Sequence, residues 1–159
     1  MPAKYLSKNH NFDPVLIISQ IFLILSLYYI IQIFFTFLFN TIFGLKLHID
    51  QILAAEVLDF STPYGFAYLC TSFFTYLFMC VLYIVIVDKA NKILDYVLTN
   101  FLFHLIMTTL NSHFPFNFLW WMTHSIFLIL TTLISEFISL KLDQRGIKLN
   151  FNLEGDKNI

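Results

Sequence analysis

Three long stretches of this chain contain no Asp, Glu, Lys or Arg: Pro14 to Leu45, Phe60 to Val87 and Tyr96 to Ser135. A helix needs ~20 apolar residues to cross the ~30 Å hydrocarbon core of a bilayer. The first two stretches, of 32 and 28 residues, each hold one crossing. The third, of 40 residues, is about twice too long for one. It is interrupted by Asn111, Ser112, His113, Phe114, Pro115, Phe116 and Asn117, a cluster that marks a turn. The pattern predicts an all-α, polytopic membrane four-helix bundle, a single membrane domain over residues 1–159. The predicted spans are about 14–39, 63–87, 93–110 and 118–140, with a loop over 40–62 and tails over 1–13 and 141–159.

Composition supports this class. The chain is 58% hydrophobic and only 12% charged, and a soluble protein of this size has too little interior to hide so many apolar side chains. Disorder and coiled coils are excluded. Nine Lys and Arg against ten Asp and Glu leave no basic surplus for a nucleic-acid partner.

Asp13 before Pro14 and Thr62 before Pro63 are good helix starts, each a capping residue followed by proline in the first turn. Gly146 is the expected stop of the last helix. The first apolar run is too long for a signal-peptide core and is expected to stay as a signal anchor.

Orientation follows from the cations. Lys4, Lys8, Lys89, Lys92, Lys141, Arg145, Lys148 and Lys157 fall in the tails and second loop; only Lys46 falls on the other side. The positive-inside rule therefore puts both termini in the cytosol and loop 40–62, with Asp50, Glu56 and Asp59, in the lumen.

Each span carries polar residues at helical spacing: Tyr29, Gln32, Thr36 and Asn40; Tyr68, Thr71, Ser72 and Thr75; Asn100, His104, Thr108 and Asn111; and His124, Thr131 and Ser135, flanked by Thr132 and Glu136. Lipid offers these groups no partner, so the stripes are expected to face one another. Two readings stay open: glue between helices, or a polar cavity or relay. Asp13, Asp95 and Glu136 sit near predicted cytosolic ends, where pairing with Lys and Arg is the simpler role.

In the first loop Ile49, Leu53, Val57 and Phe60 suggest a short interfacial helix, and Trp120 and Trp121 an interface belt at the lumenal start of the fourth span. Cys70 and Cys80 lie ~15 Å apart on one helix, beyond disulfide reach. His104, His113 and His124 form no metal pattern, and no cofactor motif, nucleophile constellation or phosphate loop is present, so no enzyme activity is expected.

An ordered set of motifs resembles a known family. Phe12-Asp13-Pro14, Ile17-Ile18-Ser19-Gln20-Ile21 and Tyr28-Tyr29 are followed by Asp50-Gln51, Ala55-Glu56-Val57-Leu58 and Phe60-Ser61-Thr62-Pro63 with Gly65. Leu94-Asp95-Tyr96, Phe103-His104-Leu105, Phe114-Pro115, Trp120-Trp121 and Glu136 complete the set. Over residues 12–150 this resembles the SYS-one family of Golgi four-span membrane proteins. Tyr64 stands where the family has a second proline, and the second loop, Asp88-Lys89-Ala90-Asn91-Lys92, is less Arg-rich.

The resemblance implies a trans-Golgi receptor that docks an ARF-related small GTPase with an acetylated N-terminus, and so supports golgin recruitment and vesicle transport. Asp13, Lys89, Lys92, Asp95, Glu136, Lys141 and Arg145 are then the candidate docking residues on the cytosolic face. The alternative is a small transporter that couples through Glu136 and His104. Four helices enclose little aqueous volume, so it would work as a homo-oligomer.

Overall fold

The computed structural model describes the backbone of residues 14–53, 55–87 and 89–155, and the side chains of 14–53, 56–87 and 89–144. Asp13 and the Arg145 side chain, both named above, lie outside the described residues. In chain order the helices are α1 (Pro14–Phe43), α2 (Asp50–Leu53), α3 (Pro63–Ile86), α4 (Ile93–Ser112) and α5 (Phe118–Gly155), with 3-10 turns at Ala55–Val57 and Ala90–Lys92. No strand occurs among the described residues. The four long helices are each long and apolar enough to cross a membrane.

Helix ends follow local chemistry. α1 runs on to Phe43, because the first left-handed residue is Gly44 (φ 67°). There the Leu45 N–H bonds the Asn40 carbonyl at 2.8 Å and closes the last turn. α3 starts at Thr62, whose Oγ1 accepts from the Gly65 N–H at 3.1 Å, with Pro63 in the first turn. A Cβ on Gly65 would come within 1.9 Å of the Asp59 carbonyl oxygen, so only glycine lets the chain pass there. α5 does not stop at Gly146 as expected; it continues to Gly155. One glycine costs a helix only ~1 kcal/mol, and no proline follows to end it.

The long helices form a ring in which α1 packs on α3, α3 on α5, α5 on α4 and α4 on α1. Lipid-type side chains cover the outside: Val15, Phe37, Val85, Leu110 and Phe137 are each exposed. The inside is layered. Ile24, Tyr28, Met79, Tyr83, Val87, Ile93, Tyr96 and Val97 form an apolar cluster at the end that carries segment 87–92. Leu58, Tyr68 and Trp120 form another at the end that carries loop 44–62. Between them lie the polar stripes.

The loop differs from the expected interfacial helix. It is split into α2 and the Ala55–Val57 turn, and Ile49 and Phe60 are exposed while Gln51 and Leu58 are buried. The reason is hydrogen bonding: the buried Gln51 amide bonds the Asn40 side chain and the backbone of Lys46 and His48, groups that an apolar side chain would leave unpaired.

Candidate functional site

The interior is built from one face of each helix. Gln32, Thr36 and Asn40 of α1, Thr71, Ser72 and Thr75 of α3, Asn100, His104 and Thr108 of α4, and His124, Thr131 and Ser135 of α5 are all buried. Thr36 Oγ1 donates back to the Gln32 carbonyl at 2.8 Å, the bond expected of a hydroxyl with no water nearby. Between helices, Ser135 Oγ donates to the Cys80 carbonyl at 3.3 Å.

Aromatic rings fill the centre. His124 bridges α3 and α5, with its Nε2 3.0 Å from the Tyr68 hydroxyl and its Nδ1 3.0 Å from the Tyr76 hydroxyl. Trp120 packs on His124 at 4.3 Å between ring centroids and stacks on His104 at 6.0 Å. The two imidazoles are 5.2 Å apart, and Tyr28 closes the far side of His104 at 5.5 Å. Among the described residues, both ring nitrogens of His104, Gln32 Oε1, Thr108 Oγ1 and the Tyr29 hydroxyl have no hydrogen-bond partner. An unsatisfied buried polar group costs about 1–3 kcal/mol.

The loop end is pinned by side chains. Asn40 Nδ2 donates to Gln51 Oε1, and Gln51 Nε2 donates to the Lys46 carbonyl at 3.1 Å. The His48 N–H also points at Gln51 Oε1, at 3.4 Å. Gln32 Nε2 donates to the Ile52 carbonyl at 3.5 Å, Ser112 Oγ to the Leu53 carbonyl at 3.4 Å, and Asn117 Nδ2 to the Leu58 carbonyl at 2.9 Å. Outside lies a polar vestibule of about 410 Å³ lined by His48, Asp50, Gln51, Glu56, Asp59 and Tyr64, among others. On its rim the Ser61 hydroxyl and N–H both donate to Asp59 Oδ1, at 2.7 and 2.9 Å. These bonds favour the carboxylate and lower the Asp59 pKa.

At the opposite end a cleft of about 290 Å³ opens between α1 and α4, lined by Ile17, Ile21, Lys92, Asp95, Tyr96 and Thr99. Its wall is braced: the Tyr96 hydroxyl donates to Gln20 Oε1 at 2.6 Å, and Gln20 Nε2 donates to the Ile86 carbonyl at 3.1 Å. Asp95 lies in the first turn of α4, where the helix dipole favours a carboxylate.

Lys92 and Asp95 thus share one cleft. Lys89 and Lys141 are exposed, and the Lys141 ammonium sits 5.4 Å from the Phe137 ring centre. Glu136 is half-buried. It lies twelve residues along α5 from His124, or ~18 Å, so it shares no site with His104. Asn111 is exposed, outside the stripe assigned to it. Trp120 is no interface residue but wholly buried; Trp121, half-buried, donates from Nε1 to the Pro115 carbonyl at 2.7 Å. No group of three or more His, Cys, Asp or Glu able to hold a metal occurs among the described residues.

Reasoning from sequence named Gln20, Tyr28 and Gln51 only as motif residues, without their place in the interior, and missed Tyr76. For α1 a signal existed: Gln20, Ile24, Tyr28 and Gln32 follow one another at i+4, and Tyr28, not Tyr29, is the buried tyrosine.

Fold and interior together define a polytopic membrane four-helix bundle with a polar, aromatic core. A family model described as SYS1, integral membrane protein S linking to the trans Golgi network, matches residues 7–149. The chain is 30% identical over 152 residues to Protein SYS1 homolog of Nematostella vectensis, which covers 96% of this chain and 97% of that protein. It is 28% identical over 144 residues to Protein SYS1 homolog of Dictyostelium discoideum, covering 89% of this chain and 61% of the relative. No solved structure matches. The chain belongs to the SYS1 family, and is a multi-pass integral membrane protein of the Golgi. That family is linked to membrane trafficking and is not a known enzyme family.

Proposed function

We propose that this protein is a trans-Golgi receptor that docks an ARF-related small GTPase with an acetylated N-terminus, and thereby supports golgin recruitment and vesicle transport. In this reading both termini and segment 87–92 face the cytosol, as the placement of eight of the nine cations favours. The observation that carries it is the cleft between α1 and α4. Its walls, Ile17 and Ile21, are apolar, and its rim carries one cation and one anion, Lys92 and Asp95. Acetylation removes the charge of an amino terminus. A neutral, apolar N-terminal helix then enters such a cleft without burying an unpaired charge. The GTPase body, outside the membrane, meets the docking residues proposed from the sequence, Asp13, Lys89, Lys92, Asp95, Glu136, Lys141 and Arg145. A single weak membrane signal binds only marginally, and a second contact with a membrane-anchored receptor makes attachment stable.

The test is co-expression with the GTPase and measurement of its membrane-bound fraction. Charge reversal at Lys89, Lys92 and Arg145 is expected to release the GTPase while the receptor keeps its Golgi location. Unchanged recruitment by a correctly located variant overturns the assignment.

A further inference from the structure

We propose that the cleft between α1 and α4 is a phospholipid site that, when no partner protein occupies it, selects a zwitterionic lipid with an ethanolamine head. The argument starts from where the cleft opens. On both sides of it the helices show lipid-type side chains: Val15, Ile18 and Phe22 on α1, and Leu94 and Leu98 on α4, are all exposed. Its mouth therefore lies against the bilayer, and the occupant at hand is a membrane lipid. The same holds on either face of the membrane.

The lining is amphiphilic in the order of a phospholipid. Ile17 and Ile21 lie one turn apart on α1, so their side chains share one face and make an apolar wall. The polar groups deeper in the cleft are already satisfied. The Tyr96 hydroxyl donates to Gln20 Oε1, and the Thr99 hydroxyl donates to the Asp95 carbonyl at 2.7 Å. An acyl chain entering there leaves no donor stranded. What remains for a ligand is the rim, Lys92 and Asp95, both exposed and without an ion pair among the described residues.

One cation and one anion at the rim sum to zero charge. A zwitterionic head matches both, with its phosphate toward Lys92 and its ammonium toward Asp95. An anionic head with no ammonium leaves Asp95 unmatched and faces its repulsion. Between the two common zwitterions, a primary ammonium donates charged hydrogen bonds to a carboxylate, whereas a quaternary ammonium has no N–H to give. The cleft volume of about 290 Å³ takes a head and the start of one chain, and the rest of the lipid stays in the bilayer. This inference concerns the cleft without a GTPase. The experiment contains none, so its outcome is independent of the docking reading.

The test uses the full chain in phosphatidylcholine nanodiscs that hold a minor fraction of a photoactivatable lipid. Three probes share the same acyl chains and carry ethanolamine, choline or glycerol heads. Labelling is mapped by mass spectrometry at Ile17–Ile21 and Lys92–Thr99. Val85, lipid-exposed at the same end of the bundle, is the reference. The ethanolamine probe is expected to label the cleft roughly fivefold more than the choline probe, the equivalent of about one net hydrogen bond, with no such preference at Val85. Asp95→Asn is expected to remove the preference, and Asp95→Glu to keep it. Equal labelling of the cleft by the ethanolamine and choline probes overturns the proposal, as does a preference that survives Asp95→Asn. A cleft labelled best by the glycerol probe means that Lys92 acts alone on an anionic lipid, and also overturns it.

Discussion

Tyr68 of α3 is tied to His124 of α5 through a 3.0 Å contact between its hydroxyl and the Nε2 atom, with both side chains buried. Tyr76 holds the other ring nitrogen, so the imidazole can act as donor to one tyrosine and acceptor from the other. His124→Ala strands both hydroxyls and leaves a cavity beside Trp120. It is expected to cost about 3–5 kcal/mol, read as a fall in the melting temperature of the detergent-solubilised protein. The triple change His124→Leu, Tyr68→Phe, Tyr76→Phe removes donors and acceptors together and is expected to recover much of that loss.

Gly65 faces the Asp59 backbone, where a Cβ would lie 1.9 Å from the carbonyl oxygen and 2.6 Å from the carbonyl carbon. Neither atom can move aside as a side chain does. Gly65→Ala is expected to destabilise the protein by at least about 1–3 kcal/mol, the range for overpacking, with protease cleavage in residues 55–62 as a direct readout.

The bonds that Ser61 makes to Asp59 favour the ionised carboxyl and put its pKa below the usual 3.8. A folded-state pKa below the unfolded one means that the stabilisation is fully present above the unfolded value and is lost as pH falls through the folded value. The turn before α3 is thus expected to be unchanged from pH 7 down to the ordinary carboxylate range and to loosen only below it. The Ser61 amide resonance checks this. Asp59→Asn is expected to make that signal insensitive to pH.

Ile17→Trp places a large ring in the cleft between α1 and α4, which holds about 290 Å³. Under the proposed docking mode it is expected to lower the membrane-bound GTPase roughly tenfold, about 1.4 kcal/mol of binding free energy, while leaving the melting temperature nearly constant. Tyr96→Phe frees Gln20 from its 2.6 Å bond and is expected to give a smaller loss.

Trp120 is completely buried and ringed by His104, His124 and Phe101. With Trp121→Phe the chain keeps one tryptophan. Its emission is expected to be blue-shifted and resistant to a water-soluble quencher, whereas a tryptophan in an interface belt would be quenched.

The four spans were legible because charge is so costly in lipid that its absence marks each crossing. The inward faces were legible for the same reason: Gln32, Asn40, Asn100, His104, Thr131 and Ser135 had nowhere else to go. Trp120 was misplaced because tryptophan suits both an interface and a buried ring cluster, and the choice is made by His104 and His124 from other helices. The inward dip of Gln51 was hidden likewise, since its main partner, Asn40, lies eleven residues away across a turn. The continuation of α5 past Gly146 turned on a helix preference too weak to decide an end.

Apolar side chains outside and polar ones inside have a thermal consequence. A large heat-capacity increment on unfolding comes from apolar surface newly exposed to water. When these helices separate within a bilayer, Phe37, Val85 and Leu110 go on touching acyl chains, and what opens is mainly polar or aromatic. The increment is therefore small, and the curve of stability against temperature is nearly straight. Cooling then strengthens this bundle steadily, without the maximum and cold-side decline of a water-soluble domain.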